Sequence, residues 1–189
     1  MSVAEGSRDR VEERLVALEE DYSGFPVNQT TLAVPRKAYE RTGERCQRGI
    51  VDAYVQLYNE RDDVLLVEND GEWVVPHGEP RTNERVVAGT ERAIRERTGI
   101  DCVLTGLARV TILGVRDESE PERSPIYRLI AVFTAETDSE GSVATGTPVV
   151  TGEPAAADGG DEAAAEGEST LADGVRWHPT LPDSAVPPH

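Results

Sequence analysis

Lysine is almost absent from this chain: Lys37 stands alone among 189 residues, and every other basic side chain is arginine. Cysteine is nearly as scarce. Cys46 and Cys102 have none of the paired spacing of a zinc site or a disulfide framework, so both are expected as reduced, buried small residues of a cytoplasmic protein. The three histidines, His77, His178 and His189, form no Cys/His or Ser/His/Asp arrangement suited to nucleophilic catalysis. No apolar run is long enough to span a bilayer, and no signal peptide is expected. Acids outnumber bases 36 to 19, a formal charge of −17. The clustered cations that would track a phosphate backbone are missing, which argues against a nucleic-acid partner.

What the chain does have is a fixed frame of glycine, acid and arginine. Five residues separate Gly78 from Glu84, and seven more separate Glu84 from Arg92; Ile94, Glu96, Gly99 and Ile100 follow at set steps. Gly78 ends the stretch Trp73-Val-Val-Pro-His-Gly78, where a strand should give way to a tight turn with φ > 0. Asn83 is one of the few residue types that tolerate the left-handed region. From Glu84 to about Thr98 the pattern predicts a helix, stopped by Gly99. Val87 and Ile94, with Thr90 close by, share one face for packing on a sheet, while positions 93, 96 and 97 form a second face.

This frame resembles the Nudix box of the Nudix hydrolases, G-x5-E-x7-R-E-U-x-E-E-x-G-U with U apolar, and keeps seven of its nine fixed places. The resemblance implies an α+β fold: a mixed sheet sandwiched between helices, here with an N-terminal helical extension. It implies that Gly78 shapes the turn, that Glu84 and Arg92 brace loop against helix, that Gly99 closes the helix and that Glu96 is the retained ligand of Mg²⁺ or Mn²⁺. A main-chain carbonyl near His77 can add to such a metal site. Ala93 and Arg97 stand where the family has its other two carboxylates. That leaves Ala, Glu and Arg on a face where three acids would gather the oxygens that a phosphate-bridging cation needs. Glu91 lies across the helix from position 93 and does not repair the loss. A guanidinium about 5 Å from a divalent ion would cost several kcal/mol at an effective dielectric near 20.

The remaining segments fit the same domain. Val51 to Tyr58 and Val64 to Val67 read as paired strands around the turn Asn59 to Asp63, and Trp73 to Val75 as a short strand. Cys102 to Val115 and Pro125 to Thr134 read as two long strands, the second apolar on both faces. Between them, Asp117, Glu118, Glu120 and Glu122 could offer a base but are read as a solvated turn. Val175 to Trp177, followed by Leu181-Pro182, resembles the closing strand and last helix of the family. Residues 7 to 48 give a helix striped by Val11, Leu15 and Leu18, an extended Phe25 to Val34, and a second helix from Pro35. They could form a subdomain or dimerisation arm, or pack on the core. The expected division is an arm over residues 1–47, the Nudix domain over 48–137 and 172–189, and a disordered acidic insertion over 138–171.

Few lysines, many arginines and dispersed acids also resemble haloarchaeal proteins, whose surface carboxylates hold water and counterions. Two functional readings stand side by side, with a purely structural or interaction domain, using the N-terminal arm and the sandwich surface, as a third. One is a Nudix pyrophosphohydrolase that splits a nucleoside diphosphate linked to another moiety with Mg²⁺ or Mn²⁺ as Lewis acid and template. The other is a non-catalytic Nudix-like module that senses a nucleotide or sugar phosphate, with Arg97 taking the place of the cation. His77 beside the motif glycine faces either a phosphate or solvent; His178 is read as structural. A small phosphorylated ligand is the expected partner, and a homodimer the expected assembly of an N-terminal arm.

Overall fold

Strand-length apolar runs and helical stripes alternate along the chain, and each settles into its own element. The computed structural model describes residues 3–138, 170–172 and 174–185. In chain order these contain α1 (Val3–Asp21), β1 (Val27–Val34), α2 (Arg36–Arg48), β2 (Val51–Tyr58), β3 (Val64–Asn69), β4 (Glu72–Val74) and β5 (His77–Gly78). There follow α3 (Val86–Thr98), β6 (Cys102–Asp117), β7 (Ile126–Thr137), β8 (Thr170–Ala172), β9 (Val175–His178) and a 3-10 turn (Asp183–Ala185). Most of the acidic segment expected to be disordered, together with His189, lies outside the described residues.

The class is α+β. Among the described residues, nine strands form one mixed sheet in the order β1-β6-β7-β2-β3-β9-β8, with β4 paired to β3 and β5 to β2. The pairs β1–β6 and β2–β7 are parallel, whereas β6–β7 and β3–β9 are antiparallel. In β2 the odd positions Val51, Ala53, Val55 and Leu57 are buried, as period-2 alternation requires of a half-buried strand. Consecutive residues Val64 to Val67 of β3 are all buried, the mark of a strand covered on both faces. The centre of β7 behaves likewise: Leu129, Ala131, Val132, Phe133 and Ala135 are all buried.

Of the two readings of residues 7 to 48, packing on the core is the one the contacts carry. Val11 and Leu18 of α1 are buried in the main core, with Leu15 and Tyr22 against it. Tyr22 meets the Phe133 ring at 5.8 Å, and the Ser7 hydroxyl accepts the Tyr127 N–H at 2.9 Å. The extended segment is the first strand of the sheet itself, at its edge. Among the described residues no helix is long and apolar enough to cross a membrane.

Several expectations need correcting. The closing segment forms β9 as expected, but Asp183–Ala185 is a single 3-10 turn and no longer helix is described there. The box helix begins at Val86, two residues after Glu84, because the Glu84 carboxylate is held inside the preceding turn by the Arg81 N–H at 2.8 Å. Gly78 is not a positive-φ turn residue; it lies in β5, paired with Ala53 of β2. Asn83 is not left-handed either. Asp117 is no solvated turn residue: it is buried at the end of β6 and accepts the Ser119 N–H at 2.9 Å.

Candidate functional site

The site is built where β5, the loop after it and α3 meet. Glu84 and Arg92 form its brace. Arg92 donates Nε and Nη2 to the two Glu84 oxygens at 2.8 and 2.9 Å, the bidentate fork in which an arginine–carboxylate pair is strongest. With the Arg92 bonds and the Arg81 N–H on it, the Glu84 carboxyl is pulled down to about 2. The expected brace is thus present, and α1 reinforces it. Arg14 donates to the Glu84 carbonyl at 2.7 Å and also to the Thr82 carbonyl, tying the N-terminal helix to the loop. Gly99 ends α3 in the left-handed region at φ 73°, with its N–H on the Arg95 carbonyl, as expected of a C-terminal stop.

The second face of α3 is divided. Ala93 looks onto β5: a Cβ built on Gly78 would stand 2.5 Å from the Ala93 Cβ. Gly78 is therefore required by this close approach rather than by its dihedral angles. Glu96 turns back along the helix, where Arg92 Nη1 donates to its carboxylate at 2.6 Å; its side chain remains 58% exposed. Arg97 is exposed and makes no ion pair among the described residues. Its charge is nevertheless felt at His77, whose pKa is lowered first by burial and then by Arg97. His77 lies half-buried on β5 and stacks on Tyr54 of β2, ring centres 5.4 Å apart.

Sequence reasoning missed a charged network beneath this face. Arg128 of β7 is 2% exposed and donates Nε and Nη2 to Asp52 of β2 at 2.7 and 2.9 Å, with Nη1 on the Gly49 carbonyl at 3.1 Å. Arg45 of α2 reaches the same Asp52 at 2.6 Å and also holds Glu79. The signal was present in the sequence: Asp52 is the one charge in β2 and Arg128 the one charge in the first ten residues of β7, and a buried charge must find a partner. Beside the loop lies a cleft of about 870 Å³ lined by Arg48, Glu79, Arg81, Thr82, Asn83 and Glu84. Glu79 is engaged by Arg45 and Glu84 by Arg92, with Arg81 also within 4.0 Å of Glu84, so Arg48 is the cleft guanidinium with no ion pair among the described residues.

A divalent cation of the kind the box implies does not suit this donor set. Of the three box positions, only Glu96 brings a carboxylate, and Arg92 occupies it. Among the described residues no group of three His, Cys, Asp or Glu side chains could hold a metal. Glu91 stays on the far side, accepting the Leu104 N–H at 3.1 Å. The acidic β6–β7 turn belongs to the opposite end of α2, where Glu120 pairs with Arg36 and Tyr39 donates to the Ser124 carbonyl. His178 is structural, its ring nitrogen within 2.6 Å of the Thr180 carbonyl in the turn after β9.

No family model and no curated protein matches the chain. Solved structures do. A crystal structure of UDP-X diphosphatase is similar to it at 17% identity and a TM-score of 0.36, over 53% of this chain and 50% of that one. A crystal structure of MutT protein from Methanosarcina mazei Go1 is similar at 20% identity and a TM-score of 0.33, over 49% of this chain and 64% of that one. The chain thus spans less than two thirds of either structure, and likenesses of this extent assign no chemistry.

Proposed function

We propose that the chain is a Nudix-type domain whose ligand is a nucleoside diphosphate linked to another moiety, and that its hydrolysis of that ligand is weak or absent. The observation that carries this reading is the split between brace and metal face. Every group that shapes the loop and helix is in place: Gly78 under Ala93, Glu84 on Arg92, and Gly99 at the helix end. The departures fall only on the groups that would hold the cation.

Mg²⁺ or Mn²⁺, where bound, would supply a Lewis acid for the phosphoryl oxygens and a template for the attacking water. Glu96 would have to give up Arg92 to serve such an ion. What this chain's residues can do without a cation is recognise charge. Arg97, with no ion pair among the described residues and close enough to His77 to help lower its pKa, can form a bidentate pair with a phosphate, as can Arg48 in the cleft beside the loop. A sensor of a nucleotide or sugar phosphate, the second reading, would use these guanidiniums. The haloarchaeal-type surface and a cytoplasmic setting stay with this proposal as expectations drawn from composition.

Thermal shifts with ADP-ribose and UDP-glucose, each with EDTA and with excess Mg²⁺, test the ligand. Stabilisation in EDTA that Arg97→Gln removes is the expected result. Stabilisation that appears only with Mg²⁺ would favour the enzyme, and no shift in either condition would sink the phosphate-ligand reading.

A further inference from the structure

Among the described residues, β1 is an edge strand with nothing to guard it. It pairs with β6 on one side only, and it ends the strand order. All of Val27 to Ala33 are exposed, Val27 by 43% and Leu32 by 54%, so neither face of the strand is covered. Edge strands are usually protected by charge, proline or a bulge, because their unpaired N–H and C=O groups invite another strand. Here the pairing with β6 runs without a register break from Val27 to Val34, with Pro26 and Pro35 just outside it. No charged residue occurs from Tyr22 to Pro35, in a chain whose net charge is −17.

The hydrogen-bond ladder to β6 shows which groups of β1 face outward. Val110 donates to the Pro26 carbonyl and Glu118 to the Val34 carbonyl, so the even-numbered residues of β1 point their main-chain groups at β6. By alternation, Val27, Gln29, Thr31 and Ala33 present theirs to the open edge. An antiparallel copy of the strand satisfies all four at once if the two-fold axis passes through Thr30. Val27 then meets Ala33 of the other copy, Gln29 meets Thr31, and the two Thr30 residues face each other as a non-hydrogen-bonded pair. Because the stretch is neutral, the approach does not bring acid against acid, which most of this surface would do.

We infer that β1 is a self-pairing edge through which two copies of this chain join their sheets, in antiparallel register centred on Thr30. The contact is isologous, and so closes as a dimer rather than growing as a fibre.

Sedimentation velocity of the full chain tests it, together with two variants. A mass of two chains at tens of micromolar is expected, and it should persist in molar salt since no charge carries the contact. Thr31→Pro removes an outward N–H and leaves the β6 ladder untouched, so it should halve the mass with an unchanged circular dichroism spectrum. Thr30→Cys places two thiols about 4.5 Å apart by Cα across the axis, within disulfide reach, and mild oxidation should cross-link the pair. Cys46 and Cys102 are buried and leave that readout clean. The mass of one chain at every concentration would overturn the inference and leave the edge to a foreign strand. A dimer that survives Thr31→Pro, or one that Thr30→Cys fails to cross-link, would overturn it as well.

Discussion

Ala93 and Gly78 touch with no room for another carbon between them: a Cβ on Gly78 would lie 2.5 Å from that of Ala93. Both atoms belong to rigid elements, a helix and a strand paired into the sheet, so neither yields cheaply. Gly78→Ala should therefore cost about 1–3 kcal/mol, the usual penalty of overpacking. Urea unfolding would show it as a lower midpoint at unchanged slope; a neutral result would mean that β5 and α3 are farther apart than described.

Glu84 is held near a pKa of about 2 by Arg92 and the Arg81 N–H. A lowered carboxylate pKa contributes stability above the unfolded value, near 4.5, and loses it as pH falls through about 2. Glu84→Gln should thus be destabilising at pH 7, on the order of 1–3 kcal/mol for the loss of a partly buried charged pair. The gap from the parent should shrink between pH 4.5 and pH 2. A gap that stays constant with pH would show that the salt bridge is not what the substitution removes.

His77 should titrate below 6.5, because burial first and Arg97 second both oppose its charged form. Its folded-state pKa lies below the unfolded one, so protonating it on acidification works against folding. Removing the positive charge by Arg97→Gln should move the midpoint upward without restoring it fully, since burial remains. Imidazole proton shifts followed by NMR would register this. An unmoved midpoint would place Arg97 away from the site.

Arg128 and Asp52 pair in the interior, with Arg128 only 2% exposed. Arg128→Met leaves Asp52 with Arg45 as its remaining partner, and should cost about 1–3 kcal/mol. Chemical denaturation gives the number directly, and a loss below 1 kcal/mol would contradict the network.

The brace, the helix stop at Gly99 and nearly every strand were legible in the sequence, because each rests on local periodicity or fixed spacing. β2 was read to its terminal residues. What escaped depended on long-range geometry. Gly78 was read as a turn glycine, since nothing in the sequence says that position 93 will press on it from 15 residues away. The arm-like Phe25 to Val34 became a sheet strand because its partner, β6, lies far along the chain. Asp117 was read with its acidic neighbours as a turn, although Ser119 and Arg123 are placed to satisfy it inside. The departures at Ala93 and Arg97 from the box pattern were visible at once, as two letters; that Arg92 also occupies Glu96 was not.

Rebuilding the missing acids tests the register of that face. Ala93→Glu with Arg97→Glu should give tight Mg²⁺ binding by calorimetry where the natural chain shows none. Unaltered binding would mean that residues 93, 96 and 97 do not share a cleft.

The most direct measurement is metal-dependent turnover of the natural chain: ADP-ribose and UDP-glucose with Mg²⁺ or Mn²⁺ in high salt, with nucleoside monophosphate release followed over time. Weak or no release is expected, and the little that occurs should not depend on Glu96. Robust release that requires the divalent ion and disappears in Glu96→Gln would contradict a metal site stripped of its carboxylates.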